Sequence, residues 1–253
     1  MDAISHLTAP QVLAMALASL VGLSLGALGS GGSILVIPIL VYIAGIPVEQ
    51  AIAMSLVIVC ATSFVGAVAR FRRGAVELKA VAAFAATGMI GAFFGSSGRN
   101  LLSPRALMLL FTALMAVSGI RMWQSASAIV PRSCSILRCL AAGFVVGLLS
   151  GFLGIGGGFL IVPALALFAG LSARKATASS LAIIALNSAS GMVGQFRFIS
   201  LEVPLLTGFI AFSVGGLLAG IRLSDSLSEP RVRRIFGAAV LILAIAIAAA
   251  NLL

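Results

Sequence analysis

Acidic residues, histidine and cysteine are scarce in this sequence. Its 253 residues include six Asp and Glu, one histidine (His6) and three cysteines, Cys60, Cys134 and Cys139. An odd number of cysteines with one histidine predicts neither a zinc site nor a disulfide framework. The acids lie at the ends of apolar segments, which leaves no carboxylate pair for hydrolysis and no buried acid relay for proton coupling. We therefore expect no enzyme activity, no metal and no cofactor.

Long polar stretches are absent as well. Hydrophobic residues make up 61% of the chain and charged residues 9%, which predicts an all-α integral membrane protein in the lipid bilayer. The first ten residues carry an acid and no cluster of basic residues, which argues against a cleaved signal peptide. The net charge of +10 comes from basic residues scattered at segment ends. It therefore indicates membrane topology and no nucleic-acid partner.

The chain contains an internal duplication. Residues 21–72 align without a gap on residues 146–197, at a shift of 125, with 23 of 52 positions identical. The identical residues include many glycines and a proline, Pro38, which aligns with Pro163. Two related halves that each carry a Gly- and Pro-interrupted apolar segment indicate a transporter with its substrate site between them.

Each half contains five apolar segments within one transmembrane domain. They are 11–29, 33–46, 48–69, 75–97 and 104–122 in the N-terminal repeat (11–122), and 136–153, 158–170, 173–195, 202–222 and 231–252 in the C-terminal repeat (136–252). Segments 33–46 and 158–170 are too short to cross about 30 Å of hydrocarbon as straight helices. They are predicted to be short or re-entrant near the midplane, and the sequence does not separate these two cases.

The distribution of basic residues predicts the orientation. If every segment reverses the chain, thirteen of the sixteen Lys and Arg fall on one side, which the positive-inside rule assigns to the cytoplasm. Both termini then lie outside, and the two five-segment repeats are inverted. Glu49 and Gln50 align with Arg174 and Lys175, a charge exchange expected for equivalent loops on opposite sides. We expect a multi-pass protein of the cell (inner or plasma) membrane.

Two glycine-rich turns, here called the first and second tips, are candidates for substrate binding. Their residues are Gly29, Gly31, Gly32 and Ser33 in the first tip, and Gly154, Gly156, Gly157 and Gly158 in the second. Glycine allows close backbone approach, so such a turn can aim N–H groups and a helix N-terminus at an anion. The alternative is tight helix crossing, which is our interpretation of other small-residue pairs: Gly22/Gly26, Gly91/Gly95, Gly143/Gly147/Gly151 and Gly216/Gly220.

Hydroxyl and amide side chains form the second candidate site. They lie in the third segment of each half: Ser55, Thr62 and Ser63, then Ser180, Asn187 and Ser188. In hydrocarbon these groups must find partners, either across a helix contact or on a substrate. Because no acid would repel it, a small anion is the favoured cargo. Three arginines at the segment ends are candidates for gathering anions: Arg70, Arg72 and Arg197.

These motifs resemble the TauE/SafE family of membrane permeases. The resemblance rests on the glycine clusters, the prolines that follow and the Ser-Leu pairs Ser55-Leu56 and Ser180-Leu181, and is strongest over residues 151–163. The first copy departs at Ser33, where a third glycine would fall. The family implies transport of sulfur-containing anions such as sulfite, sulfonates or related organosulfur acids, commonly as export, through an inverted-repeat bundle with its site at the tips and polar residues. An anion channel, an uptake permease for another small anion and a membrane scaffold remain alternatives.

Overall fold

The computed structural model describes residues 9–29, 32–98, 136–153, 158–195 and 202–226, together with isolated positions between 109 and 120 and between 238 and 249. The described residues are mostly helical and are joined by short turns, with no strand among them. Its α-helices are α1 (Ala9–Leu28), α2 (Ser33–Pro38), α3 (Val48–Phe71), α4 (Leu78–Ser97), α5 (Ile136–Leu153), α6 (Gly158–Phe168), α7 (Ala173–Gln195) and α8 (Val203–Ser226). Seven of these helices lie close to predicted segments, whereas α2 ends at Pro38, within the predicted segment 33–46; the isolated positions of the other two segments are helical. The all-α prediction is confirmed.

Five described helices are long and apolar enough to cross a membrane, namely α1, α3, α4, α7 and α8. Large apolar side chains on their outer faces are exposed, among them Phe64 and Val193, as expected for surfaces that contact lipid. By contrast, α2 has 6 residues and continues only into a π-helical turn, Ile39–Ile43. Pro38 lies at that junction, where its missing N–H prevents a regular helix from continuing. The short segments are confirmed as short, since α6 also has only 11 residues.

Helices α1 and α8 pack closely through glycine. A Cβ atom at Gly22 of α1 would collide with the backbone of Ser213, and one at Gly26 would collide with Leu217. Since this contact advances by four residues along both helices, α1 and α8 run parallel. From the other side, Gly216 and Gly220 of α8 lie against the backbone of α1 in the same way. The tight-crossing interpretation of these glycines is confirmed.

Helices α4 and α5 repeat this arrangement at equivalent positions. Gly147 and Gly151 of α5 lie against the backbone of Gly88 and Ala92 in α4. Each of these residues is 125 positions away from its counterpart in the α1–α8 contact. The first helix of each half therefore packs against the fourth helix of the other half, and the contacts are preserved when the halves are exchanged.

Helices α3 and α7 are the equivalent third helices, and they cross each other. Gly66 of α3 lies beside the side chain of Leu181, whereas Cys60 Sγ donates a hydrogen bond to the carbonyl oxygen of Ala185 at 3.5 Å. As the contact moves back along α3 it moves forward along α7, so the two helices run antiparallel. Cys60 and Ala185 are themselves 125 residues apart. The two helices therefore cross at equivalent residues of the two halves.

Charge is distributed unequally between the two ends of the described helices. At one end, Lys175 Nζ contacts Glu77 Oε2 at 3.0 Å. The basic residues at this end are Arg70, Arg72, Arg73, Lys79, Arg174, Lys175 and Arg222. The opposite end holds Glu49 and Glu202, and Gln11 Nε2 donates to Glu202 Oε2 at 3.1 Å. We call the first end the basic end.

Candidate functional site

The first tip turns sharply at Gly29. Gly29 has a φ of 70°, in the left-handed region that favours glycine, and its amide donates to the carbonyl oxygen of Leu25 at 2.7 Å. A Cβ atom at Gly29 would collide with the carbonyl oxygen and methyl group of Thr177 in α7, and one at Gly32 would collide with α1. Both described glycines of this tip are therefore needed for close packing. Gly31 lies outside the described residues, and the anion-binding role of the tip stays a prediction.

Of the second tip, only Gly158 is described. It is the first residue of α6 and is buried. The predicted site residues Gly154, Gly156 and Gly157 lie outside the described part of the chain. Ser33, which takes the place of Gly158 in the first half, is also fully buried.

A buried arginine stands next to the first tip. Arg70 of α3 is only 8% exposed, and its Nη2 donates to the carbonyl oxygen of Gly26 in the last turn of α1 at 3.1 Å. This cation complements the partial negative charge at a helix C-terminus. Of the other arginines predicted to gather anions, Arg72 is exposed, and Arg197 lies outside the described residues.

Two of the predicted polar residues form hydrogen bonds within the protein. Ser180 Oγ donates to the carbonyl oxygen of Gly29 at 2.5 Å and also lies 2.8 Å from that of Thr177. Ser55 Oγ donates to the carbonyl oxygen of Ile52, one turn earlier in α3, at 2.8 Å. These hydroxyls hold helices and the first tip in place, so the interhelical alternative applies to Ser180.

Other hydroxyls in the bundle are bonded across helix contacts as well. Thr87 donates to the carbonyl oxygen of Leu140 at 2.7 Å, and Ser213 donates to that of Ala18 at 3.2 Å. Such interhelical bonds are the ordinary way to satisfy a polar side chain within a membrane.

The remaining four predicted polar residues have no such partners. They are Thr62, Ser63, Asn187 and Ser188, and each is at most 1% exposed. The hydroxyl oxygens and both amide atoms of this set form no hydrogen bond. Thr62 and Ser63 follow Cys60 by two and three residues along α3, and Asn187 and Ser188 follow Ala185 by the same steps along α7. Because the two helices are antiparallel, the two pairs stand on opposite sides of the crossing. We call this set the central polar layer.

Asn187 occupies its place because α4 has a glycine opposite. A Cβ atom at Gly88 would lie 2.7 Å from Asn187 Oδ1 and 2.9 Å from Nδ2, closer than real Cβ contacts allow. In the other half, the positions equivalent to Asn187 and Gly88 hold Thr62 and Ser213. Asn187 of the layer thus faces a glycine, whereas its counterpart Thr62 is a smaller hydroxyl residue, and Ser213, outside the layer, replaces the glycine in that half.

The central polar layer is unusual because buried polar groups are nearly always bonded. Leaving one such group unsatisfied costs about 1–3 kcal/mol. The set supplies three hydroxyl hydrogens and an amide NH₂, together with acceptor oxygens and no charge. These groups can therefore bond to an oxyanion or water that reaches them.

Three features of this region were not found from the sequence. Cys60, for which the sequence predicted neither a zinc site nor a disulfide, lies at the helix crossing, and Gly88 makes room for Asn187. Ser150 of α5 is a further buried hydroxyl without a partner. The repeat alignment could have indicated this residue, because a polar Ser150 stands where the first half has the apolar Leu25.

No group of three or more His, Cys, Asp or Glu side chains within the described helices could hold a metal ion. The acids Glu49, Glu77 and Glu202 stand at or next to the first residues of α3, α4 and α8. The chemistry available in the described interior is therefore hydrogen bonding by neutral groups, with the cation of Arg70 near one end.

Comparison with known proteins identifies one family and several relatives that are described as membrane transporters. The family described as "Sulfite exporter TauE/SafE" matches residues 14–247. A "probable membrane transporter protein" of Xylella fastidiosa is 35% identical over 240 residues, covering 89% of this chain and 90% of the relative. A protein of the same description from Methanocaldococcus jannaschii is 28% identical over 243 residues, covering 88% and 91%. One from Bacillus subtilis is 26% identical over 216 residues, covering 81% and 87%.

No solved structure matches this chain. The family match covers most of the sequence, and its apolar helices are those of a multi-pass membrane protein. On these findings, the chain belongs to the TauE/SafE family of membrane transporters.

Proposed function

We propose that this protein carries a small sulfur-containing anion, such as sulfite, a sulfonate or a related organosulfur acid, outward across the cell membrane. The central polar layer is the proposed binding site. The observation that carries this proposal is that Thr62, Ser63, Asn187 and Ser188 are buried without hydrogen-bond partners. The sulfur chemistry is supported by the description of the family.

The hydrogen-bond donors of the layer and the charge of the basic end favour an anion as the cargo. The hydroxyl and amide hydrogens of the layer can stabilise negative charge, and the basic end would attract anions from that side. An inside-negative potential favours anion export by about 2.3 kcal/mol per charge for every 100 mV. Export therefore needs no coupling ion, and none of the described acids lies within the layer.

We further propose that residues 11–122 and 136–252 are inverted repeats, with both termini outside and the short segments near the midplane. The antiparallel crossing of α3 and α7 supports this arrangement. The packing of the first helix of each half against the fourth helix of the other half also supports it. A pseudo-twofold axis through the central polar layer would let the same contacts open to either side in turn.

The inversion predicts opposite accessibility for two equivalent positions. Glu49 and Arg174 are both exposed, at the starts of α3 and α7. In a background without cysteine, Glu49→Cys should react with an impermeant thiol reagent added to intact cells, whereas Arg174→Cys should react only after the cells are opened. Labelling of both positions in intact cells would contradict the inverted repeats.

The binding role of the layer predicts that stability and transport respond in opposite directions. Thr62→Val and Ser188→Ala each remove a hydroxyl that has no partner, so the protein should be as stable as before or more stable. Flux per folded molecule should fall about tenfold or more, as for the loss of a hydrogen bond to a charged ligand. The measurements are thermal unfolding in detergent, and potential-driven sulfite and sulfonate flux in proteoliposomes.

Ser213→Ala is the matched control, because the hydroxyl of Ser213 donates to α1. It should lower stability by about 1 kcal/mol and leave flux per folded molecule unchanged. If Thr62→Val and Ser188→Ala behave like this control, the layer is only a helix contact and the scaffold alternative gains support. Saturation and counterflow would distinguish a carrier from an anion channel.

A further inference from the structure

The central polar layer contains hydrogen-bond donors and no charge. Its members are three hydroxyl residues and one carboxamide, Asn187, all fully buried or nearly so. In the part of the chain that the structure describes, the titratable group closest to the layer is Cys60, whose thiol donates a hydrogen bond to the carbonyl oxygen of Ala185. Among the described residues, only dipoles are placed within the layer to stabilise an anion.

The charged groups on the helices packed around the layer stand at the helix ends. Those whose side chains are described are Glu49 and Arg70 on α3, Arg174 and Lys175 on α7, Lys79 with the preceding Glu77 on α4, and Arg222 on α8 with Glu202 before it. Arg138 and Asp225 also occupy end positions, near the start of α5 and the end of α8. Arg70 is the buried member of this set. The backbone of Arg70 lies about 10 Å beyond that of Ser63 along α3. Its guanidinium donates to the last turn of α1. None of these charges neutralises an anion within the layer.

A neutral layer distinguishes anions by their charge. The free energy needed to remove an ion from water rises with the square of its charge. Its attraction to fixed dipoles rises only in proportion to the charge. A layer that just offsets the dehydration of a monoanion therefore fails to do so for a dianion of similar size.

We propose that the central polar layer admits oxyanions with a single negative charge and excludes dianions. This inference rests on the proposed function and adds the charge state of the cargo. The carried species would be hydrogen sulfite or an alkyl sulfonate, and the sulfite dianion and sulfate would be excluded. A proton would then cross with each sulfite, bound to the substrate, without any acidic residue along the route.

Asn187 is the residue that tests this inference most directly. Gly88 leaves room for its planar amide, and Asn187→Asp keeps that shape while adding one negative charge wherever the carboxyl is ionised. Burial without a cationic partner favours the protonated, neutral form of such a carboxyl, so the charge appears only at higher pH. Flux of methanesulfonate in this variant should therefore decline with rising pH, by at least about 100-fold once the carboxyl is ionised and repels a like charge. Gln50→Glu at the start of α3 changes the net charge equally, far from the layer, and should leave flux within about twofold.

The experiment uses the full chain in proteoliposomes under a fixed potential, with methanesulfonate, sulfite and sulfate as probes. Methanesulfonate, a monoanion throughout, should be carried at a rate that does not change from mildly acidic to mildly alkaline pH. Sulfite flux should fall with rising pH as hydrogen sulfite loses its proton, approaching about tenfold per pH unit. Sulfate flux should be at least about 100-fold below that of methanesulfonate.

Two results would overturn the charge selection while leaving anion transport intact. One is sulfate flux close to that of methanesulfonate, and the other is sulfite flux that is constant or rises with pH. A loss of methanesulfonate flux in Asn187→Asp that does not deepen with rising pH would also count against it. Absence of flux for all three anions in folded protein would overturn the proposed function itself, and the inference with it.

Discussion

Replacing Gly29 by alanine is expected to destabilise the folded protein by about 2 to 5 kcal/mol and to abolish transport. The backbone at Gly29 has a φ of 70°, and holding alanine in this region costs about 1–2 kcal/mol. The added methyl group would also collide with the backbone of Thr177, and overpacking of this kind costs about 1–3 kcal/mol. The first tip would have to leave α7 and lose the hydrogen bond from Ser180. Thermal unfolding in detergent and flux per folded molecule are the measurements.

Gly45 and Gly74 provide the matched controls for this change. Their φ values are 73° and 66°, but a Cβ atom at either position has nothing within 4 Å. Gly45→Ala and Gly74→Ala should therefore show only the backbone cost of about 1–2 kcal/mol and retain flux. If Gly29→Ala is no worse than these controls, the contact with Thr177 does not limit the position of the tip.

Replacing Gly216 by alanine is expected to separate α1 from α8 and cost about 1–3 kcal/mol or more. A Cβ atom there would collide with the carbonyl oxygen of Ser19 in α1. The backbone of a helix cannot yield as the end of a flexible side chain can. Inside a membrane, close packing also supplies much of the force that holds helices together. Thermal unfolding and the fraction of monodisperse protein after extraction would measure the effect.

The adjacent Gly215 is an unusually close control for this variant. It is exposed, and a Cβ atom there meets nothing within 4 Å. Gly215→Ala should be neutral or stabilising by up to about 1 kcal/mol, because alanine favours helix over glycine. Equal stability of Gly215→Ala and Gly216→Ala would contradict the α1–α8 contact.

The helices were largely predictable because a duplicated membrane sequence carries strong signals. The shift of 125 residues defined equivalent segments, and small-residue pairs such as Gly22/Gly26 indicated faces for close packing. The sequence did not say which helix each face meets. Periodicity within one helix marks its face, whereas the partner α8 comes from the other half of the chain and is chosen by the packing of the whole bundle.

The residues of the candidate site were predicted as a set, but not their separate roles. Ser180 and Ser188 look alike in the sequence, yet one is bonded to Gly29 and the other has no partner. That difference depends on a carbonyl oxygen 151 residues away, so local spacing cannot reveal it. The role of Gly88 was missed for the same reason, because its effect is the space that it leaves for Asn187.

The packing of α1 against α8, a helix of the other half, has a consequence for synthesis of the chain. Gly22 of α1 meets Ser213 of α8, a partner that is made about 190 residues later. At about 5–20 residues per second, this is a delay of about 10–40 s. During that time the glycine face of α1 is in the membrane without the surface that covers it, so neither half can complete its fold alone. The newly made first half therefore has to be kept from pairing wrongly, or from degradation, until α8 arrives.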